Sequence, residues 1–175
     1  MFAPSPQQVL RKKREARMNV LEKTITRPDT ETAMPDVHEL FARFPRGPMA
    51  DMVGWNCVGF ANGELTLAFT PKPFFCNPMG MIHGGFVGSM LDESMGSAIL
   101  ATTCGESIGA TISATTEFIR PAMLGTLTTT SRVANLGKSI AFVEAELWNS
   151  EGKLLAKSSA SFKLVALGGL TGRPA

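Results

Sequence analysis

Between residues 83 and 102 the chain runs through alanine, methionine, leucine and glycine without alternation, although most of what surrounds it alternates. A stretch of this length, apolar on nearly every side, predicts a helix that is buried all round. The neighbouring runs have period two and read as strands. Runs 55–60 and 64–70 flank Ala61-Asn62-Gly63, where Asn-Gly supplies the positive φ of a tight hairpin, and Leu65, Leu67 and Phe69 share one face of the second. Four more runs follow the helix, at 110–119, 125–134, 140–148 and 153–166. In the first of these Ile112, Ala114, Thr116 and Phe118 fall on one face; in the third it is Ala141, Val143, Ala145 and Leu147. In the last, Leu154, Ala156, Ala160, Phe162 and Leu164 alternate inward, and Gly125, Gly137-Lys138 and Glu151-Gly152 mark the turns. Two strands, one buried helix and four more strands define an α+β domain, a mostly antiparallel sheet around one long helix.

Composition supports one such domain with extra chain at its ends. The 175 residues are 44% hydrophobic and 18% charged, with mean hydropathy +0.09, enough for a real core. The net charge of +2 is too small to announce a nucleic-acid partner, and its distribution is uneven. Residues 1–50 carry nine Lys/Arg against six Asp/Glu, while 51–175 carry eight against nine. We therefore divide the chain into a basic arm at 1–45, a domain at 46–168 and a tail at 169–175. In the arm, 7–24 reads as a helix whose basic run (Arg11, Lys12, Lys13, Arg14, Arg17) is a solvated face. A linker follows at 28–35, then a short helix at 36–44 with Val37, Leu40, Phe41 and Phe44 on one stripe. No helix-turn-helix pairing is visible there, which argues against a DNA-reading module.

Cys57, Cys76 and Cys104 are an odd set without CxxC spacing, and His38 and His83 are the only histidines. Neither a disulfide framework nor a metal site is expected. The longest near-apolar run contains Asp92 and Glu93 and is too short to span a bilayer, and no signal-peptide core is visible. The expectation is a soluble, cytoplasmic protein with no membrane partner.

Chemistry concentrates where the loop Asn77-Pro78-Met79-Gly80-Met81-Ile82-His83-Gly84-Gly85 enters the long helix. Two glycines at a helix start make a tight turn, and they also leave N–H groups uncovered at the positive end of the macrodipole. An anion, or a carbonyl oxygen becoming one, is stabilised there. Asp92 lies mid-helix with Gly88, Ser89 and Gly96 on its face. Each helix glycine costs about 1 kcal/mol relative to alanine, so such a face implies close approach by something else. A carboxylate on a buried helix needs a partner or a task, and Glu93, about 100° round the helix, is the alternative working acid. Gly84 and Asp92 stand roughly 12 Å apart along the axis at 1.5 Å per residue. An aspartate side chain cannot close that gap. If both serve one reaction, two copies of the helix must meet head to tail in a two-fold dimer with sites at the interface.

Asn77, then His83-Gly84-Gly85, then Asp92 is the pattern of the PaaI-type acyl-CoA thioesterases of the hot-dog fold, which residues 46–168 resemble. Gly54 and Gly63, the Phe118-Ile119-Arg120-Pro121-Ala122 run before Gly125, Val133 with Gly137-Lys138, and Asn149 with Gly152-Lys153 follow at family spacing. The resemblance implies about six antiparallel strands wrapped around the helix, and a homodimer or dimer of dimers. It implies an acyl-CoA substrate, with coenzyme A entering as part of the substrate and no other cofactor. Asp92 is then general base or nucleophile, and the Gly84 N–H polarises the thioester oxygen. Asn77 and His83 orient the substrate, and Thr111 positions the water, with Ser113 as fallback. Gly85 and Ser89 line the substrate, while Lys138, Ser139 and Arg120 are candidates for coenzyme A contacts. Two rivals stand beside this reading: an acyl-thioester hydratase or dehydratase of the same fold, and a non-catalytic acyl-CoA sensor.

Overall fold

The computed structural model describes residues 36–44 and 47–169. The expected arm helix over 7–24, its basic run and the linker lie outside the described residues, as does the tail beyond 169.

Two short helices open the described chain. In α1 (Val37–Ala42), Asp36 caps the N-terminus by accepting from the His38 N–H at 2.9 Å. Helix α2 (Pro48–Val53) was not legible as a periodic run. Its start is marked by Gly47 before Pro48, whose missing N–H costs nothing in a first turn. Then come β1 (Trp55–Ala61), β2 (Glu64–Phe69), the long helix α3 (Gly84–Thr102), β3 (Ser107–Phe118), β4 (Leu127–Leu136), β5 (Ile140–Asn149) and β6 (Leu154–Ala166). Apart from α2, the order and type of these helices and strands are those read from the periodicities, with boundaries moved by a few residues.

All six strands form one antiparallel sheet in the order β1-β2-β4-β5-β6-β3, so β1 and β3 are its edges. Its inner face packs on α3. Leu65, Leu67 and Phe69 from β2, Ala141, Val143 and Leu147 from β5, and Phe162 from β6 meet Met90, Leu91, Met95 and Ile99 of the helix in a single core. This is the hot-dog arrangement. One strand departs from simple alternation. A bulge between Thr111 and Ser113 shifts the β3–β6 register, so Thr111 faces Phe162 while Ala114, Thr116 and Phe118 face Ala160, Ser158 and Ala156. Alternation alone sets Thr111 on the opposite face from Ile112 and Ala114; the bulge brings Thr111 to the helix side with Ala114.

The helix is also less enclosed than its composition suggests. Val87, Met90, Leu91, Ser94, Met95, Ala98 and Ile99 are buried, but Gly85 is exposed, and Gly88, Ser89, Asp92 and Gly96 are only half-buried. Among the described residues, nothing outside the helix's own backbone lies within 4 Å of where a Cβ would stand on Gly88 or Gly96. One stripe of α3, beside β3, is left open.

Candidate active site

The loop before α3 is held by its own polar groups. Asn77 Oδ1 accepts from the N–H groups of Met79 at 2.9 Å and Met81 at 3.2 Å, and the Gly80 N–H donates to the Asn77 carbonyl. Gly80 takes φ +77°, which only glycine adopts without strain. The His83 N–H reaches the Phe75 carbonyl at 2.8 Å, and the Ile82 N–H reaches that of Ala122 at 2.8 Å. Beneath, the Phe75 and Phe86 rings stack at 4.0 Å. Asn77, expected to orient substrate, thus spends its carbonyl oxygen shaping the loop, and its amide nitrogen is the end left to work.

His83 is the N-cap of α3. Its Nδ1 accepts from the Gly85 N–H at 3.0 Å, so a neutral ring carries its proton on Nε2 at the exposed edge. Gly85, expected to touch substrate, has its N–H taken by this cap. Gly84 is different. It occupies the first helical turn, where no intrahelical acceptor exists, and among the described residues no other acceptor takes its N–H. The Phe118 ring stands 3.3 Å from where a Gly84 Cβ would be. A free donor at the positive end of a 19-residue helix is an electrophilic point.

Eight residues along, Thr111 Oγ1 donates to Asp92 Oδ1 at 2.9 Å. The β3 bulge makes this contact possible; Ser113, the alternative, pairs with Ser161 and gives Asp92 no hydrogen bond here. Glu93, the alternative acid, accepts at Oε2 from Trp55 Nε1 at 3.3 Å on the β1 side, while Asp92 is the acid that Thr111 contacts. Ser89 Oγ turns back to the Gly85 carbonyl at 2.9 Å, an ordinary helix-interior bond. Asp92, Glu93 and Thr111 all border a cavity of about 230 Å³ walled by Gly96, Ser97, Leu100, Ile108 and Phe162. A complete small-molecule pocket spans roughly 300–1,000 Å³, so this is part of a site. A Cβ on Gly109 beside it would stand 2.5 Å from Ile99 Cδ1 and 2.8 Å from Phe162 Cδ1, so a side chain there would force both to shift.

The candidates for coenzyme A lie elsewhere. Lys138 and Ser139 are exposed in the β4–β5 turn, and the Ser139 carbonyl accepts from the Leu164 N–H. Arg120 Nη1 donates to the Leu154 carbonyl at 2.7 Å, tying the end of β3 to β6 while the rest of the guanidinium stays exposed. A second cleft, about 1,100 Å³, is on the sheet's outer face and shares no lining residue with this site. Its charges are largely spent on each other, through Arg132 with Glu144 at 3.2 Å and Lys157 with Glu117 at 2.8 Å. Among the described residues no cluster of three His, Cys, Asp or Glu could hold a metal, and no helix is long and apolar enough to cross a membrane. Burial raises the Cys57 thiol pKa, so it is a poor nucleophile.

A long helix wrapped by a six-stranded antiparallel sheet defines a hot-dog fold, and here that helix carries a bare N-terminal amide and a mid-helix carboxylate. Solved structures share the fold. A candidate thioesterase of Ralstonia eutropha JMP134, a phenylacetic acid degradation-related protein, superposes with TM-score 0.66 at 27% identity, covering 72% of this chain and 96% of that one. In sequence the chain is similar to a candidate esterase of Pseudomonas aeruginosa, 29% identical over 123 residues, covering 69% of this chain and 91% of the relative. It is also similar to acyl-coenzyme A thioesterase 13 of Homo sapiens, 29% identical over 57% of this chain and 72% of that enzyme. The thioesterase superfamily model matches residues 79–156, from the loop before α3 to β6. Over this stretch the chain is similar to thioesterase-superfamily proteins, and its relatives support a thioester hydrolase.

Proposed function

We propose that the protein hydrolyses acyl- or aryl-coenzyme A thioesters to the free acid and coenzyme A, at a site shared between two copies of the chain. The observation that carries this reading is the hydrogen bond from Thr111 to Asp92, formed roughly 12 Å along the helix from the free Gly84 N–H. Base and electrophile are both present, and one chain cannot bring them to a single carbonyl.

The partner has a natural place. β3 is an edge strand exposed on both faces, with Ile112 57% and Phe118 60% exposed. Long apolar edges are usually covered. Antiparallel pairing of β3 with its own copy about Thr115 sets the bulge at Ile112 opposite Phe118 of the partner subunit. Phe118 packs on Gly84 within its own chain, so Gly84 of the partner subunit then approaches Asp92. The same pairing covers the open stripe of α3.

In the reaction, Asp92 takes a proton from water that the Thr111 hydroxyl also holds, and the oxygen attacks the thioester carbon. Negative charge builds on the carbonyl oxygen against the partner's Gly84 N–H, and its collapse expels the coenzyme A thiolate. Thiolate is a good leaving group and needs no strong acid. His83 Nε2–H and Asn77 Nδ2 are donors beside the Gly84 N–H, suited to orienting the thioester, and Lys138, Ser139 and Arg120, away from this mouth, are read as phosphate and pantetheine contacts. Free thiols at Cys57, Cys76 and Cys104 accord with a reducing cytoplasm.

The test is thiol release from short, medium, long-chain and aryl-acetyl coenzyme A thioesters, with Asp92→Asn run in parallel. Turnover of at least one acyl class, reduced roughly 100-fold or more by the substitution, is expected. Full turnover in Asp92→Asn would move the base elsewhere. Tight binding of these esters without hydrolysis would leave a sensor.

A further inference from the structure

Three successive residues of α3 make polar contacts with three different strands. Asp92 accepts from Thr111 on β3 at 2.9 Å, and Glu93 accepts from Trp55 on β1 at 3.3 Å. Ser94 enters a hydroxyl cluster with β4: Thr129 Oγ1 donates to Ser94 Oγ at 2.7 Å, Ser94 Oγ to Ser131 Oγ at 2.9 Å, and Ser131 Oγ to the Ser94 carbonyl at 2.9 Å. Because β1 and β3 are the sheet's two edges and β4 lies between them, the helix is held from both sides and from beneath at one level.

The rest of α3 gives little directional information. Its core contacts are leucine, methionine, alanine and isoleucine, whose burial rewards area and not orientation. The hydroxyl cluster is the opposite. Ser94, Thr129 and Ser131 are 0, 0 and 1% exposed, and each hydroxyl is bonded. A satisfied buried network is directional, and any turn or slide of the helix would strip partners from groups that water cannot reach. Adjacent residues differ by about 100° around a helix, so a turn of one position would present Glu93 to β3 in place of Asp92.

We infer that Ser94, Thr129 and Ser131, with Glu93 and Trp55, are positioning residues that fix the rotation and height of α3 so that Asp92, and not Glu93, meets Thr111. This rests on the reading of Asp92 as the base. The cluster acts on the reaction only through the carboxylate it aims, and its role in packing is separable from that task.

The separation comes from a crossed pair of substitutions. Thr129→Val keeps shape and loses the hydroxyl; Thr129→Ser keeps the hydroxyl and loses a methyl. Positioning predicts that Thr129→Val combined with Ser131→Ala lowers kcat on the preferred thioester about 10-fold in protein that stays folded, with KM little changed, while the thermal midpoint falls because the Ser94 hydroxyl is left buried without its partners. Thr129→Ser keeps near-native kcat despite a lower thermal midpoint. A purely packing role predicts the reverse order, and that result overturns the inference. So does wild-type kcat in a folded Thr129→Val/Ser131→Ala protein. A crystal structure of that double variant reads the inference without activity: the Asp92–Thr111 distance should lengthen beyond hydrogen bonding, and an unchanged 2.9 Å refutes it. If Asp92→Asn keeps full turnover, the catalytic reading fails, while this structural comparison still decides whether the cluster sets the helix.

Discussion

β5 and β3 look alike as sequence and meet different surroundings. In β5 every second residue, from Ala141 to Leu147, is buried on α3, and both edges are paired, with β4 and with β6. β3 is paired only with β6, is exposed along most of its length, and carries the bulge that turns Thr111 to the helix. Alternation records which face of a strand meets a core. It does not record whether the strand has two neighbours or one, and the Thr111–Asp92 contact sits on the strand that has a single neighbour among the described residues.

The strongest test of this contrast is complementation. Gly84→Pro removes the free N–H at the first helical position, where the backbone accepts proline once the Phe118 ring gives way by a few tenths of an ångström, and should lower kcat roughly 100- to 1,000-fold, as Asp92→Asn should. Unfolding and refolding the two inactive proteins together should restore about a quarter of the wild-type rate, because half the dimers would be mixed and each would own one intact site. No recovery, with mixed dimers shown to form, would place base and donor in the same chain. Next in size, Ile112→Asp puts a charge on the open edge. It should yield a folded monomer by sedimentation with turnover reduced to near background, whereas an active monomer would end the shared-site reading.

Leu147→Ala attacks the enclosed strand instead. Leu147 is 0% exposed in the core, and its truncation should cost about 2–5 kcal/mol in denaturant unfolding while turnover per folded molecule stays within about twofold. A large activity loss at full stability would erase the division between a structural β5 and a reactive β3. The smallest effect belongs to Thr111→Val, with a fall of about 10-fold in kcat, recovered in large part by Thr111→Ser, which keeps the hydroxyl at Asp92. Equal losses in both would make the methyl group, and not the hydrogen bond, the important feature.

Much of the fold was legible because period and punctuation are local. Asn62 at φ 54° and Gly63 at φ 76° make the turn that the Asn-Gly pair announces, and the unbroken apolar run became α3. Helix α2 was missed because six residues cannot display a period, and Gly47-Pro48 serves loops and helix starts equally. The cap formed by His83 lies in the motif, but its use of Nδ1 depends on rotamer and not on residue type. The Trp55–Glu93 and Ser94–Thr129–Ser131 contacts left no sequence signal, since their members are at least 35 residues apart.

The sequence by itself determined the succession of elements, the glycine-rich entry to the helix, and the presence of a carboxylate eight residues beyond Gly84. Those follow from φ preferences, periodicity and helical rise, all properties of neighbours along the chain. Only the tertiary structure decided which of two adjacent acids meets Thr111, because that depends on a one-residue bulge in β3 and on hydroxyls brought to the helix from a distant strand. Apolar pattern can bury a helix. It takes directional bonds, formed after the sheet has closed around it, to say which way the helix faces.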